Sequence, residues 1–361
     1  MVDIYVLDTS FQTVAIVEGF SSIIWTDRFQ EAGDFEIDLP ASKENIEIYK
    51  PDYYLWREDS EHMMIIESTE TTSDPEEGST LNIVGRSLES ILDRRVVWNV
   101  TTISGNLQSG VKKLLTENAI SPTDSNRKIA NLSFKDSTDS KITSLTIDAQ
   151  YIGDDLLKVI SDICKSKDIG FKITMPTDGR FVFELYAGVD RTYDQTDNPY
   201  IIFSPNFENL MNSNSFSSKK DYKTVALVAG SGEGPDKEYT SVAIDSRNYS
   251  DLNRRETYVE ATDVQKEVDG QEIGHDEYIR QLQQKGKEAL ADLGITQTFD
   301  GEAESSRSFT YDVDFKMGDI VQNEDEYGQT FKSRITEYIY SIDSSEQKQY
   351  PTFTVIEKED S

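Results

Sequence analysis

The chain has 361 residues, of which 67 are acidic and 36 are Lys or Arg, and its formal net charge is −31 at neutral pH. Such a charge disfavours attraction to phosphates, so we expect no specific nucleic-acid binding. A single cysteine excludes an intramolecular disulfide, and two histidines leave few zinc ligands. With no signal-peptide pattern and no apolar run near the ~18 residues that span a bilayer, we expect synthesis in the bacterial cytoplasm and no membrane-spanning segment.

The first hundred residues predict a small β-barrel or sandwich. Apolar runs at 4–7 and 14–17 flank a turn at 8–10 and indicate a hairpin. A strand with one buried face is indicated by alternation at Phe35, Ile37 and Leu39, and Pro40 ends it. Strands at 63–68 and 81–84 precede a short helix whose apolar face holds Leu88, Ile91, Leu92 and Val96.

Between residues 101 and 198, helical periodicity appears twice among the strands. One predicted helix carries Leu107, Val111, Leu114 and Leu115, and a second carries Leu156, Leu157, Ile160, Ile163 and Cys164. Strands at 171–175 and 181–186 are joined by a hairpin turn at Asp178-Gly179, a pair that suits the positive φ of tight turns. Because strands and helices do not alternate as βαβ, this part predicts an α+β domain.

From residue 199 the pattern is again mostly β. Strands are predicted at 200–203, 223–228, 239–244, 308–315, 319–322, 331–341 and 352–356. A long amphipathic helix at 275–293 carries Ile279, Leu282, Gly286, Leu290 and Leu293, and Gly294 ends it. We therefore expect an α+β, β-rich protein with a β-barrel-like domain at 1–100, a peripheral α+β domain at 101–198, and a second barrel-like domain at 199–361 that contains an inserted segment at about 245–298.

The glycine cluster Gly230-Ser231-Gly232-Glu233-Gly234 follows an apolar strand, as a phosphate-binding loop does. Phosphate binding needs a helix N-terminus directly after the loop, whereas Glu233, Pro235 and Asp236 add negative charge and oppose a helix. The segment therefore predicts an ordinary surface loop.

Two acid-bearing segments are the densest candidates for binding a hard cation. They are Asp136-Ser137-Thr138-Asp139 and Asn323-Glu324-Asp325-Glu326. Neither has the spacing or the closing glutamate of a calcium loop, so solvated loops are the favoured interpretation and calcium binding stays open. Some pair of carboxylates must lie close together among so many acids, so proximity alone does not indicate a glycosidase.

Nucleophilic catalysis finds little support in the remaining residues. Cys164 lies on the apolar face of a predicted helix, which is typical of a core residue. His62 precedes a strand, His275 begins a helix, and neither has a recognisable partner in the sequence. For the three tryptophans, core packing is favoured over a sugar-stacking platform; they are Trp25, Trp56 and Trp98. We expect no catalytic, cofactor-binding or metal site.

A series of short motifs nevertheless runs along nearly the whole chain. They lie at 33–40, 64–67, 85–95, 202–210, 221–230, 254–259, 311–321 and 334–337. In their order and spacing they resemble the tail-hub or tail-tip proteins of long-tailed siphophages and related prophages, which are similar to the hub protein of myovirus baseplates. Each motif alone is weak, and the order carries the resemblance.

The resemblance implies a homotrimer in which two barrel-like domains of each chain build a pseudo-sixfold ring that continues the tail tube. It implies docking to the tail-tube or distal tail protein on one side and to a fibre, plug or receptor-binding protein on the other, at the tail tip of the virion. Longer relatives append cell-wall hydrolases after the hub region, but this chain ends soon after its last predicted strands, so we expect no enzymatic activity.

The sequence is compatible with more than one role for its charge and with two alternative functions. The negative charge could line the ring and repel passing DNA, or it could simply keep a virion component soluble. An alternative function is a tail-associated cell-wall hydrolase, which needs a defined acid pair or metal site in a cleft. Another is a carbohydrate-binding adhesin that contacts the host surface directly.

Overall fold

The computed structural model describes residues 3–74, 76, 78–177, 179–234, 237–245, 247–268, 270–302, 309–343 and 345–356. The described residues of the first hundred form seven strands, one short α-helix and a 3₁₀ helix at Leu88–Arg94. The strands and the α-helix are β1 (Ile4–Leu7), β2 (Thr13–Ile16), β3 (Ser22–Arg28), β4 (Asp34–Pro40), α1 (Lys43–Ile48), β5 (Tyr54–Arg57), β6 (Met63–Asp74) and β7 (Gly78–Ser87). In β4 the predicted alternation is confirmed, since Phe35, Ile37 and Leu39 are buried.

The middle part contains helices and strands, as predicted. Its elements are β8 (Thr101–Asn106), α2 (Leu107–Leu115), β9 (Leu132–Lys135), α3 (Ser140–Thr143), β10 (Thr146–Tyr151), α4 (Leu156–Lys167), β11 (Gly170–Thr177) and β12 (Arg180–Tyr186). The two predicted helices correspond to α2 and α4, and Cys164 is fully buried on α4. Of the predicted turn, Gly179 has a φ of 70°, and Asp178 lies outside the described residues.

The last part contributes strands of 2 to 14 residues and one long helix. These are β13 (Ile202–Phe203), β14 (Met211–Ser218), β15 (Val225–Ala229), β16 (Tyr239–Ala243), β17 (Glu256–Glu260), β18 (Glu267–Val268), β19 (Gln271–Glu272), α5 (His275–Asp292), β20 (Thr296–Glu302), β21 (Ile320–Glu324), β22 (Thr330–Asp343) and β23 (Gln347–Val355).

One sheet of thirteen strands unites the two ends of the chain. Its order is β14-β20-β23-β22-β3-β4-β7-β6-β5-β1-β2, with β21 beside β22 and β13 beside β21. The two halves meet where β22 pairs antiparallel with β3, from Glu337 opposite Arg28 to Asp343 opposite Ser22. Tyr340 and Ile342 of β22 thereby complete the apolar core under the N-terminal strands. The β-rich α+β class is confirmed, and among the described strands the order is an open path.

The middle part packs on this sheet, and a smaller module packs on the middle part. The module consists of the three-stranded sheet β16-β15-β17, in which β15 and β17 run parallel, with α5 across one face. The chain leaves the large sheet after β14 to form this module and returns to the large sheet at β20, and these two strands pair with each other. The boundaries at 1–100, 101–198 and 199–361, with the insertion at about 245–298, stay a prediction.

Some local predictions are wrong. The segment after β7 is a 3₁₀ helix at Leu88–Arg94, and Val96 lies beyond it with 38% of its surface exposed. The strand predicted at 308–315 is a tight turn over residues 309–315, in which Asp312 has a φ of 64°. Residue 308 lies outside the described residues. Phe309, Tyr311 and Phe315 of this turn all pack into the core beneath it. Their spacing in the sequence resembles the alternation of a strand, which explains the wrong prediction.

Candidate functional site

The main strand order of the large sheet ends in two strands, β2 and β14, that each have one partner among the described residues; the two-residue strand β13, on the branch beside β21, is a third strand with one partner. At one end, β2 pairs with β1, and at the other, β14 pairs with β20. Apolar side chains project from both strands: Val14 is 45% exposed, Ile16 is 41% exposed and Phe216 is 51% exposed. An edge strand with free backbone groups and exposed apolar side chains is a surface suited to pairing with another chain.

The β1–β2 hairpin is positioned by its own turn. The carboxylate of Asp8 accepts hydrogen bonds from the backbone N–H of Ser10 at 2.8 Å and of Gln12 at 2.9 Å. Phe11 adopts a positive φ of 60°, and the Phe11 N–H donates to the Asp8 carbonyl at 2.9 Å. The predicted hairpin at 8–10 is thus confirmed, and these contacts set β2 at the edge of the sheet.

The solvent face of the N-terminal strands is acidic. The register places Asp38 of β4 beside Asn82 of β7, and Asn82 beside Glu70 of β6. The Asn82 amide donates to the carboxylates of Glu36 at 2.7 Å and Asp38 at 2.9 Å. This amide orients the two carboxylates without neutralising them, so the sheet presents a surface that repels anions.

Phe29 lies where the three parts of the chain meet. Its ring is so close to Gly170 and Gly318 that a Cβ atom on either glycine would lie 2.4 Å from a ring carbon. The Phe29 carbonyl also accepts a hydrogen bond from the Phe171 N–H. Only glycine permits this approach, so the N-terminal sheet, the middle part and the C-terminal strands are held in one arrangement.

His62 lies at the same junction, with only 6% of its surface exposed. Burial by itself would lower the pKa of His62, but the nearby carboxylates of Asp27, Glu89 and Glu61 raise it above its ordinary value. Its Nδ1 lies 3.8 Å from Glu89, whose other interaction is a 2.7 Å hydrogen bond from the Ile173 N–H. The expectation of no partner is therefore wrong for His62, and it is also wrong for His275, whose Nδ1 lies 3.0 Å from a carboxylate oxygen of Glu238.

The glycine cluster forms a turn between β15 and β16. The backbone N–H of Ser231 donates to the Tyr278 hydroxyl of α5 at 2.9 Å. A Cβ atom at Gly230 would lie 2.2 Å from that hydroxyl, which explains the glycine at this position. Residues 235 and 236 lie outside the described residues, and the next described element is β16.

Of the two acid-bearing segments, the first forms helix contacts. Asp139 caps α3 by accepting from the Lys141 N–H at 2.8 Å, and Asp136 pairs with Lys112 at 2.7 Å. The second segment is not a solvated loop, because Asn323 is fully buried at the end of β21. Asp325, which is 6% exposed, accepts from the backbone N–H groups of Tyr327 and Gln329.

The remaining candidates divide between core and surface. Cys164 is a core residue, as predicted, and burial raises the pKa of its thiol. Trp25 is buried, and its indole N–H donates to Asp27 at 3.1 Å. The prediction of core packing is wrong for Trp98, whose side chain is 63% exposed and lies under the Arg127 guanidinium. Trp56 is 37% exposed and stacks on the ring of Tyr5.

The contact between α5 and the middle part is polar. The Tyr151 hydroxyl donates to the Glu288 carboxylate, which also accepts from Gln284 at 3.0 Å. Lys285 pairs with Asp263 at 2.8 Å and with Asp154 at 3.2 Å. A cavity of about 250 Å³ beside this cluster is lined by several of these residues. Glu288 is 7% exposed, and burial raises its pKa to about 7.

Sequence reasoning missed both the edge residues and the buried Tyr151–Glu288 contact. The edge had a signal, because the run at 14–17 is apolar on both faces, which is unusual for a strand with one solvated face. No sequence signal marked Glu288 as buried, because an acidic residue on a helix with alternating charges is normally predicted to face solvent.

Within the described ranges, no group of three or more His, Cys, Asp or Glu side chains is arranged to hold a metal ion. No helix among the residues described here has the length and apolar character needed to cross a bilayer.

Comparisons with known proteins agree with this architecture. The model of the Siphovirus ReqiPepy6 Gp37-like protein family matches residues 3–353. No curated protein sequence matches the chain.

Three solved structures share the fold over nearly all of the chain. The tail protein from Neisseria meningitidis MC58 is 12% identical, with a TM-score of 0.58, and the match covers 99% of this chain and 97% of that one. The 43 kDa tail protein of prophage MuSo2 from Shewanella oneidensis is 11% identical, with a TM-score of 0.55 and coverages of 98% and 98%. Prophage tail protein gp18 from Listeria monocytogenes EGD-e is 12% identical, with a TM-score of 0.54 and coverages of 99% and 95%.

At these identities the solved structures establish the fold, while the family model covers almost the full sequence. The resemblance to siphophage tail proteins is confirmed. The chain belongs to the Siphovirus ReqiPepy6 Gp37-like protein family and is a structural protein of the bacteriophage tail.

Proposed function

We propose that this protein is a hub of the phage tail tip, in which three copies close into a ring that continues the tail tube. The observation that supports the proposal is the pair of edge strands β2 and β14, which lie at the two ends of the main strand order, apart from the two-residue branch strand β13. A contact between two different edges repeats from copy to copy and gives a ring when the rotation closes. Such pairing also covers both edges, which otherwise invite aggregation.

The number three is taken from the tail-hub resemblance. Each copy brings two strand-rich halves joined at the β3–β22 pair, so three copies would supply six strand-rich segments around one axis. The two rims of such a ring would bind the tail-tube or distal tail protein on one side and a fibre, plug or receptor-binding protein on the other. The role is non-enzymatic and serves host attachment and DNA delivery.

The acidic face of β4, β6 and β7 is the surface we assign to the bore. Glu36, Asp38 and Glu70 lie there in register, and they would repel the phosphates of passing DNA. A wall rich in Lys or Arg would instead bind DNA at each phosphate and slow its passage.

Native mass spectrometry of the purified protein, combined with negative-stain microscopy, tests the ring. We expect a species of three chains with a central opening, and antibody labelling of virions at the tail tip. A protein that stays monomeric at all micromolar concentrations, or labelling elsewhere on the virion, would rule the proposal out. Clearing of host cell walls in a zymogram would instead favour the hydrolase alternative.

A further inference from the structure

Four cations converge at the end of β14. Lys219 and Lys220 directly follow that strand, Lys223 precedes β15, and Arg255 precedes β17. The Arg255 guanidinium donates to the Lys219 carbonyl, and both side chains lie about 6 Å from the ring of Tyr222, at 5.9 and 6.0 Å. We call these four residues the basic cluster.

The basic cluster has one acidic neighbour within its own segment, Asp221, which forms no ion pair with the four cations in the described part of the chain. Nearby Arg247 and Arg254 are neutralised by Asp245 at 2.7 Å and Glu256 at 2.6 Å. Among the described residues, by contrast, no ion pair involves any of the four cluster members, and Lys219 and Lys220 are exposed. Four cations without an ion-pair partner among the described residues, with Asp221 as the one acid between them in sequence, leave a net positive surface that favours an acidic partner on a chain whose net charge is −31.

The opposite edge of the sheet carries the complementary charge. The Val17 N–H donates to the Ile4 carbonyl at 2.8 Å, which places Glu18 beside the start of β1. The Glu58 N–H donates to the Asp3 carbonyl at 3.2 Å, which brings Glu58 to the same end. Glu18 and Glu58 are exposed, and neither forms an ion pair within the described part of the chain. No Lys or Arg precedes Arg28 in the sequence. We call Glu18 and Glu58 the acidic end.

We propose that the basic cluster of one copy binds the acidic end of the next copy, so that β14 and β2 meet side by side and run parallel. Parallel alignment follows from position, because the basic cluster succeeds the last residue of β14 and Glu18 succeeds the last residues of β2. This inference rests on the proposed ring and specifies its partner as a second copy of this chain. Opposite charges at the two edges also select head-to-tail pairing over like-edge pairing, in which equal charges would face each other.

A charge-swap series tests the contact. The first variant is Lys219→Glu with Lys220→Glu, the second is Glu18→Lys with Glu58→Lys, and the third combines all four changes. We expect each of the first two to raise the concentration needed for assembly roughly tenfold or more at low salt, since like charges then face each other. The combined variant should recover most of the loss, because it restores opposite charges. Sedimentation velocity at two salt concentrations measures this.

The control matched to the first variant is Lys128→Glu with Arg180→Glu, which makes the same change in net charge on exposed residues of the middle part. Circular dichroism confirms that every variant folds. If the wild-type chain assembles and the reversals have no more effect than the control, or the combined variant shows no recovery, this inference is wrong while the ring stands. If the wild-type chain never assembles, the ring and this inference fail together.

Discussion

The middle part of the chain makes two contacts of opposite character. Against the large sheet it forms a continuous apolar core, in which Met63, Ile65 and Leu92 pack with the side chains of α2 and α4. Against α5 it forms hydrogen bonds and ion pairs around Tyr151 and Glu288. Separating an apolar contact exposes apolar surface to water and costs much free energy. Separating a polar contact costs less, because water replaces the lost hydrogen-bond partners. We therefore expect the first contact to hold its two parts in one folding unit and the second contact to open more readily.

The largest effect should follow from opening the apolar junction. Phe29→Ala removes a ring that is 1% exposed and leaves a cavity between Gly170 and Gly318. We expect the free energy of unfolding to fall by about 3–5 kcal/mol, measured by urea denaturation. Phe207→Ala is the control, because Phe207 is 55% exposed and its loss should change stability by less than about 0.5 kcal/mol. Equal effects of the two changes would contradict the comparison.

The polar contact should respond to pH. Burial raises the pKa of Glu288 from 4.5 to about 7, against the lowering effects of the Tyr151 hydrogen bond and the Lys285 charge. The folded chain thus holds a proton that the unfolded chain releases, so this stabilisation is complete below about pH 4.5 and disappears as pH rises through 7.

We expect the wild-type protein to lose about 2–3 kcal/mol of stability between pH 5 and pH 8 relative to Glu288→Gln, which cannot ionise. Parallel urea titrations of both proteins across that range measure the difference. Because all other groups are shared, their pH dependence cancels. A difference that does not change with pH would show that Glu288 is ionised throughout.

A smaller effect should follow when the hydroxyl at this contact is removed. Tyr151→Phe deprives Glu288 of one donor, while the Gln284 amide still reaches it. We expect a cost of about 1–2 kcal/mol, together with faster amide hydrogen exchange in α5 and unchanged exchange in β3 and β22. Tyr193→Phe, at a residue 54% exposed, is the matched control. Uniformly faster exchange in both regions would mean that the two contacts open together.

The smallest effect belongs to the rim of the polar contact. Arg280 pairs with Asp148 at 2.8 Å, and its side chain is 52% exposed. Arg280→Ala should cost less than about 1 kcal/mol, and the cost should vanish in high salt, because exposed ion pairs are screened. Thermal unfolding at low and high salt measures this. A cost that persists in high salt would place Arg280 among the packing residues.

Local structure was readable where one face of an element is buried. The alternation of β4, the periodicity of α2 and α4, and the turn chemistry at Asp8 each need only neighbouring residues, so the sequence predicts them. Errors arose where burial did not follow local pattern. Trp98 has an aromatic type but an exposed position, and Asn323 has a polar type but a buried one.

Sequence reasoning could predict only part of the candidate interface. The family resemblance indicated assembly, but it could not say which strands would lie at the edges of the sheet. Strand order depends on pairings between residues that are far apart in the chain, and such pairings leave no local mark.

The sequence by itself determined the β-rich class, most helices and strands, the acidic character and the tail-protein family. Only the tertiary structure decided that β22 lies beside β3, that Phe29 joins three parts, and that β2 and β14 are the two ends. It also decided the pKa of Glu288, because a carboxylate acquires its protonation behaviour from the groups that fold around it and not from its position in the chain.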